Sequence, residues 1–559
     1  MISDNIILAT ELAKGYNRAH LSPRCMLKVD LRKAYDSVEW PFLHMMLNEL
    51  GFPCVFVDWI MECVKTFSYS ILINGKPSPS FCAQKGLRQG DPLSPFLFAI
   101  AMEYLSRSLN TLQDNPDFNF HPKCERLNIT HLMFADDLLL FSRGDAISMQ
   151  LLIDQFMHFS SCSGLAANLD KSEVYFSGVN DDTKASILHS VGMVPGVLPV
   201  RYLGIPLSTK KLSIAQYKPL IDKFRSRVQS WTVRKLTYAG RLQLVKCVLF
   251  SLQTYWSQLF LLPKKVTREI ERICRTFLWT GDLVQSRKAP IAWDSFCKPL
   301  VAGGWNIKNL GVWNKAALSK LLWTLAFKAD MLWVKWVNIS YSKGRDVMTM
   351  SIPKNLSWML SKVWQCRELI HDIGGWHLVS SSSGFSIKKM YQLLCGVFPK
   401  TPWRKIICNS KASPRALFIT WMALYGRLST LDRLIAWGIQ VSPICYLCKV
   451  ENESIQHLFF ECPYVSTIWR TMLNMLHISR SVSGLQTEVH HCVKMASTKT
   501  ARSRIYLLLF VETIYCVWRQ RNARAHEGAE LPADRVVHEI VFRANCRCTD
   551  SDKHLLSLV

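Results

Sequence analysis

The 559-residue sequence has no uninterrupted apolar run of membrane-spanning length. Its most apolar long stretch, Leu242 to Pro263, is broken by Gln243, Lys246, Gln253 and Gln258, which suits a buried helix and argues against a bilayer span. No secretory leader is evident, and the 19 cysteines, an odd number, form no compact framework. Both features exclude a disulfide-stapled secreted domain and predict reduced thiols in a soluble intracellular protein. Acidic residues are scarce, with 42 Asp and Glu against 68 Lys and Arg, a formal charge of +26. Apolar side chains are plentiful at 49% of residues, which excludes a disordered chain and allows a large core. The length fits about three or four structural units.

The charge excess is concentrated. Residues 201–290 hold 18 basic and 4 acidic side chains, about half of the net charge in under a fifth of the chain. Such a segment is either a polyanion contact or an ordinary solvated helix face. The first 180 residues alternate strand-like and helix-like runs, with strands at Cys25 to Leu31, at Ser70 to Asn74 and in a hairpin around Asp136, an α+β layout. From Ser213 to Leu278 apolar positions recur at helical spacing. Residues 285–400 are Trp-rich and mostly helical, with a loop at Ser380-Ser-Ser-Ser-Gly384. Scattered tryptophans of this kind belong to a core more readily than to a base-stacking platform.

Residues 131–141 read His-Leu-Met-Phe-Ala-Asp-Asp-Leu-Leu-Leu-Phe, two carboxylates inside an apolar hairpin. Burial and mutual repulsion make Asp136 and Asp137 costly unless a proton, a cation or a metal ion neutralises them. Upstream, the strand-like Met26-Leu-Lys-Val-Asp30 ends in a third acid. Oxygen ligands of this type suit magnesium, and a pair of such ions serves phosphoryl transfer. Adjacent strand residues face opposite ways, so Asp30 and Asp136 are expected to bridge the ions while Asp137 points elsewhere and balances charge. Between these elements, Gln84-Lys-Gly-Leu-Arg-Gln-Gly-Asp-Pro-Leu-Ser-Pro95 is a glycine-bearing loop leading into an apolar helix. Ser94 is the expected cap and Pro95 the expected first helical residue. Gly86 and Gly90 permit close backbone approach, and Lys85 and Arg88 supply positive charge.

The ordered set Lys28-Val-Asp-Leu-Arg-Lys-Ala-Tyr-Asp36, Gly86-Leu-Arg-Gln-Gly-Asp-Pro-Leu-Ser-Pro95, Phe134-Ala-Asp-Asp137, Leu169-Asp-Lys-Ser172 and Tyr202-Leu-Gly-Ile-Pro206 closely resembles the reverse transcriptases of plant non-LTR (LINE-type) retrotransposons. The resemblance implies a right-hand polymerase palm with partial fingers and a helical thumb. It implies catalytic magnesium, two ions, at Asp30 and Asp136, with Asp137 beside them, and makes Lys171 the group that protonates or neutralises departing pyrophosphate. Tyr35 would exclude a ribose 2′-hydroxyl, and Gly86, Arg88, Gln89 and Gly90 would approach the nucleotide. Tyr202, Leu203 and Gly204 would grip the primer terminus. The implied partners are an RNA template, a DNA primer and deoxynucleoside triphosphates, with no membrane, in a nuclear setting.

Cys445-Tyr-Leu-Cys448, His457 and Cys462 follow the pattern C-x2-C-x8-H-x4-C, sufficient for one tetrahedral structural zinc, with His490 and Cys492 as alternative ligands. The stretch from Pro414 to Trp469, and on to Asn522, resembles the zinc-binding domain that follows reverse transcriptase in these plant elements. Trp518 with Arg519, Arg521 and Arg524 is either a stacking and phosphate patch or a snorkelling helix end. The expected division is 1–210 partial fingers and palm, 211–285 basic thumb, 286–400 Trp-rich helical connector, 401–530 zinc-binding domain and 531–559 tail. Active relatives carry an endonuclease and most of the fingers before the first catalytic Asp, whereas Asp30 here follows only 29 residues, so the beginning is expected to be missing. A polymerase is the first reading and a non-catalytic nucleic-acid-binding remnant the alternative; a group II intron maturase fits the zinc pattern poorly.

Overall fold

The computed structural model describes residues 2–18, 21–232, 236–284, 289–382, 384–498 and 500–556. Four basic residues of the 201–290 segment, Arg234, Lys235, Arg287 and Lys288, and Ser383 of the serine-rich loop lie outside them. The fold mixes helices and sheet in two compact units. The first comprises residues 1–216, 258–261 and 317–385, and the second residues 217–257, 262–316 and 386–559.

The first unit is built on a five-stranded sheet. Strand β1 (Arg24–Asp30) is flanked by β3 (Asp137–Arg143) and β4 (Glu173–Ser177), both antiparallel to it, with β2 (His131–Phe134) outside β3 and the two-residue β5 (Val194–Pro195) parallel to β4. Strand alternation divides its residues between two faces. Cys25, Leu27 and Val29 join Leu138, Leu140 and Val174 in the main core, against helices α2 (Ser94–Asn110) and α3 (Ala146–Ser163). Met26, Lys28 and Asp30 occupy the other face. Helix α1 (Ile2–Ala13) has an entirely buried second half and packs near β2.

Two local expectations change. Ser70 to Asn74 is mostly irregular; only Leu72–Ile73 pairs, with Lys76–Pro77, and both segments are exposed. At α2, Leu93 is the cap residue and its N–H donates to the Asp91 carboxylate at 2.8 Å; Ser94 is the first helical residue and buried, so its hydroxyl does not cap. The Asp in the Asp-Pro turn reaches the helix start first.

In the second unit the basic α4 (Lys218–Thr232) packs on α5 (Lys264–Thr280) through Leu220, Phe224, Val228 and Ile270, Ile273, Phe277. The run after Thr237 is not one helix: Tyr238–Leu244 gives way to a widened π turn at Val245–Leu249. Helix α6 (Pro414–Leu424) packs on the 27-residue α7 (Ala501–Glu527), and so does α8 (Ala533–Asn545). The expected tail therefore contains a packed helix, anchored by Val536, Val537, Ile540 and Ala544. Trp333, Trp364, Trp421 and Trp469 are fully buried, so these four tryptophans serve cores, while Trp59 and Trp437 stay exposed. All 19 cysteines carry free thiols. Among the described residues no helix is long and apolar enough to cross a membrane.

Candidate functional site

The acidic corner is assembled by strand register. Asp30 ends β1 directly opposite Asp137, the first residue of β3. Cross-strand partners share a face, so these two carboxylates lie on the same face of the sheet. Asp136 lies in the Ala135-Asp136 turn joining β2 to β3, exposed, with Ala135 in the left-handed region at φ 52°. The expectation that Asp137 points away from the other acids is corrected: the turn takes up Ala135 and Asp136, and strand alternation restarts at Asp137. Burial pushes the Asp137 carboxyl up, Lys28 opposes that shift, and the charges of Asp136 and Asp30 add to it. Lys28 sits two residues before Asp30 on the same strand face, opposite Leu139 and Glu173.

Two further segments dock on this corner. The Asn168 N–H donates to the Asp30 carbonyl at 2.7 Å, the Asp30 N–H donates to Ser172 Oγ at 3.1 Å, and Arg32 N–H donates to Ala166 O at 2.9 Å. Lys171, exposed on the intervening helical turn Leu169–Lys171, thereby lies between two residues, Asn168 and Ser172, that bond to the strand end bearing Asp30. On another side, Gly86 N–H donates to Val38 O at 2.8 Å, Leu87 N–H to Tyr35 O at 2.7 Å and Trp40 Nε1 to Gly86 O at 2.8 Å. Gly86 has φ 89°, and a Cβ there would stand 2.8 Å from the Asp36 carbonyl oxygen, so only glycine fits. Arg88, Gln89 and Gly90 follow, all exposed. Tyr35 is half-buried and stacks on Phe98 with ring centroids 4.8 Å apart.

Tyr202 is buried at the end of a hairpin, Val200–Tyr202 paired with Ile205–Leu207. Leu203 and Gly204 form its two-residue turn at φ 48° and 78°, the mirror-image geometry that hairpins favour.

The second cluster, in the other unit, is compact. Ligand atoms of Cys445, Cys448, His457 and Cys462 all lie within 4.8 Å of one another. Among the described residues this is the single group of three or more Cys, His, Asp or Glu gathered so tightly; the three carboxylates are not, nor do His490 and Cys492 join the thiols. Cys448 Sγ is 3.3 Å from His457 Nε2, and Glu451 Oε2 lies 3.0 Å from Nδ1, so the imidazole turns one nitrogen to the thiols and the other to a carboxylate. Contact with the Cys462 thiol, together with the Leu447 and Cys448 N–H groups, pulls the Cys445 thiol down to about 5. Three thiols and an imidazole in this arrangement could hold one tetrahedral zinc.

The knuckle is clamped from α7. Glu453, fully buried, receives Arg521 through Nη2 at 2.7 Å and Nε at 3.1 Å, and also accepts the Leu431 N–H at 3.0 Å. Arg524 Nη1 donates to the Leu447 carbonyl at 2.7 Å, and its guanidinium lies 4.6 Å from the Tyr464 ring. Arg519 pairs with Glu539. The Trp518–Arg524 phosphate patch is thus replaced by a set of structural ties. Glu453 carried the missing signal: an acid between the second and third ligands, facing no obvious partner in sequence.

The family described as reverse transcriptase (RNA-dependent DNA polymerase) matches residues 3–207, and the family described as zinc-binding in reverse transcriptase matches residues 385–469. An Arabidopsis thaliana protein named as a ribonuclease H is 28% identical over 31% of this chain and 28% of its own length. A Pol polyprotein from the type-2 retrotransposable element R2DM of Drosophila melanogaster is 30% identical over 30% of this chain and 15% of its own length. An uncharacterized mitochondrial protein of Arabidopsis thaliana is 34% identical over 20% of this chain and 92% of its own length. The chain thus spans under a third of the first two relatives.

Proposed function

Because this chain belongs to the reverse transcriptases of non-LTR retrotransposons, we propose that it is an RNA-directed DNA polymerase, extending a DNA primer along an RNA template with deoxynucleoside triphosphates. The sheet unit is read as palm with part of the fingers, the basic helices α4 and α5 as thumb, and the knuckle as a zinc-stabilised module. The observation that carries this reading is the corner itself: Asp30 opposite Asp137, Asp136 at the adjoining turn, and the Lys171 segment tied to the Asp30 backbone.

The donor set fits divalent magnesium: three carboxylates meet at one strand end, and burial, with the added charges of Asp136 and Asp30, already raises Asp137. Magnesium held by Asp30, Asp136 and Asp137 would supply the charge that favours 3′-hydroxyl ionisation and pyrophosphate departure. The rest is the work of the chain. Lys171 holds a positive charge and a transferable proton at the leaving group. Tyr35, fixed against Phe98, blocks the space beside the sugar 2′ position. Gly86 brings the Arg88-Gln89-Gly90 backbone near the nucleotide, and the Tyr202-Leu203-Gly204 turn supports the primer end. The basic helices neutralise duplex phosphates. With four protein ligands the zinc site leaves no open position and serves stability. A chromosomal primer would place this work in the nucleus.

Magnesium-dependent primer extension on an RNA template, comparing the chain with Asp136→Ala, tests the reading. Extension that disappears in the variant supports it. Hybrid binding without extension by either protein sinks it in favour of a non-catalytic nucleic-acid-binding remnant.

A further inference from the structure

A second basic feature lies within the first unit, at the opposite end of β1 from the acidic corner. A seven-residue strand is about 20 Å long, so the two are well separated. Four chain segments meet there around a cavity of about 480 Å³. They contribute Arg18, from the connection after α1; Arg24, the first residue of β1; Arg126, from the helical turn Glu125–Leu127; and Lys343, at the end of the π turn Asn338–Ser342. We propose that this cavity binds a compact polyphosphate, the moiety shared by free polyphosphates and nucleoside triphosphates.

Four of the cations in this cavity have no acidic partner. Among the described residues none of these four forms an ion pair, and no acidic side chain lines the cavity. The Glu11 carboxylate, whose charge acts on Lys14 and Lys123, is buried and does not line the cavity; it accepts the Ser357 N–H at 3.2 Å and the Tyr341 hydroxyl at 2.8 Å. Lys14 and Lys123 also line the cavity, but both are occupied. The Lys123 ammonium donates to the carbonyls of Glu11, Leu12 and Lys14 at 2.6, 3.2 and 2.6 Å, closing the end of α1, and Lys14 donates to the Asn355 carbonyl. Burial pushes Lys123 down to about 7; the Glu11 charge opposes that shift, and Arg24 and Lys14 add to it. Arg18, Arg126 and Lys343 are exposed, and buried Arg24 commits only its Nε, to the Ser22 carbonyl at 3.0 Å. Their remaining donors are free to meet phosphate oxygens.

Size and charge density favour a compact ligand over a strand. The volume lies within the range of small-molecule sites. A nucleic-acid strand carries one charge per nucleotide, spread over more length than this cavity offers, whereas a triphosphate concentrates about four negative charges, matching the four available cations.

Isothermal titration of the full chain with inorganic tripolyphosphate, at physiological salt and with EDTA present so that the Asp30 corner repels the anion, tests the site. Saturable one-to-one binding is expected. It should weaken roughly tenfold or more in the double variant Arg126→Glu, Lys343→Glu. Arg18→Gln, at an exposed position, gives a smaller loss in the same direction and decides the matter if the double variant misfolds. ATP binding as tripolyphosphate does would show that a nucleoside is tolerated, and inorganic phosphate should bind far more weakly. Equal tripolyphosphate affinity in the wild type and the folded variants overturns the proposal. So does failure of tripolyphosphate to bind while a single-stranded RNA oligonucleotide loses affinity in the double variant, which would make the cavity a strand contact.

Discussion

The Asp30, Asp136 and Asp137 corner and the Cys445, Cys448, His457 and Cys462 knuckle both gather side chains that suit a cation, under opposite physical rules. The corner is built chiefly by backbone. β-Register sets Asp137 across from Asp30, and loops hold the strand end, while Asp136 stays exposed and the carboxylates repel. The knuckle is built by side chains. Cys445 and Cys462 are fully buried, Glu451 lies beside the imidazole, and Arg521 and Arg524 tie the loop to α7. A site that must admit substrate tolerates unneutralised charge at the cost of stability, and a closed site does not.

Substitutions that uncouple activity from stability sharpen this contrast. Asp136→Asn should lower primer extension by about 10³-fold, because one oxygen ligand is lost where charge develops, and leave thermal unfolding unchanged or raised. Cys462→Ala should do the reverse: loss of bound zinc, measured by metal analysis, and proteolytic opening of residues 401–530, with the first unit intact. Arg521→Met strands the buried Glu453 carboxylate and should destabilise the second unit by about 3–5 kcal/mol in denaturant melts, with Glu453→Gln, Arg521→Met partly restoring it. Gly86→Ala forces a Cβ against the Asp36 carbonyl in a left-handed backbone, a cost of about 1–3 kcal/mol. Its extension defect should exceed its effect on unfolding, since the displaced segment carries Tyr35.

The smallest effect is a pH dependence that separates the two sites. The folded Asp137 pKa is raised above its unfolded value, so the native state binds the proton more tightly. That contribution is fully present below the unfolded carboxyl pKa and is lost as pH rises through the raised folded value. In divalent-free buffer the wild type should therefore lose stability across that mildly acidic interval. Asp137→Asn should not, and magnesium should flatten the wild-type curve. An identical pH dependence in both proteins would refute the raised, burial-shifted Asp137 carboxyl.

The motifs around Asp30, Gly86, Asp136, Lys171 and Tyr202 were legible in sequence because each is a short run with fixed local geometry. The Cys445, Cys448, His457 and Cys462 cluster was legible because C-x2-C-x8-H-x4-C limits what a loop can do. The α+β alternation before residue 180 was legible for the same reason: periodicity of apolar side chains is a local property. Which acid faces which was not, since it depends on whether the turn takes two residues or one, and a single shift of register reverses every side chain. Nor was the fate of Arg521 and Arg524, which in sequence are a basic helix end and in the fold are partners of Glu453 and Leu447. Sequence by itself determined the chemical types, their order and the local elements that carry them. Tertiary structure alone decided the pairings, including the meeting of Arg18, Arg24, Arg126 and Lys343 around one cavity. The physical reason is that electrostatic and hydrogen-bond partners are chosen by distance in space, and these lie up to several hundred residues apart along the chain.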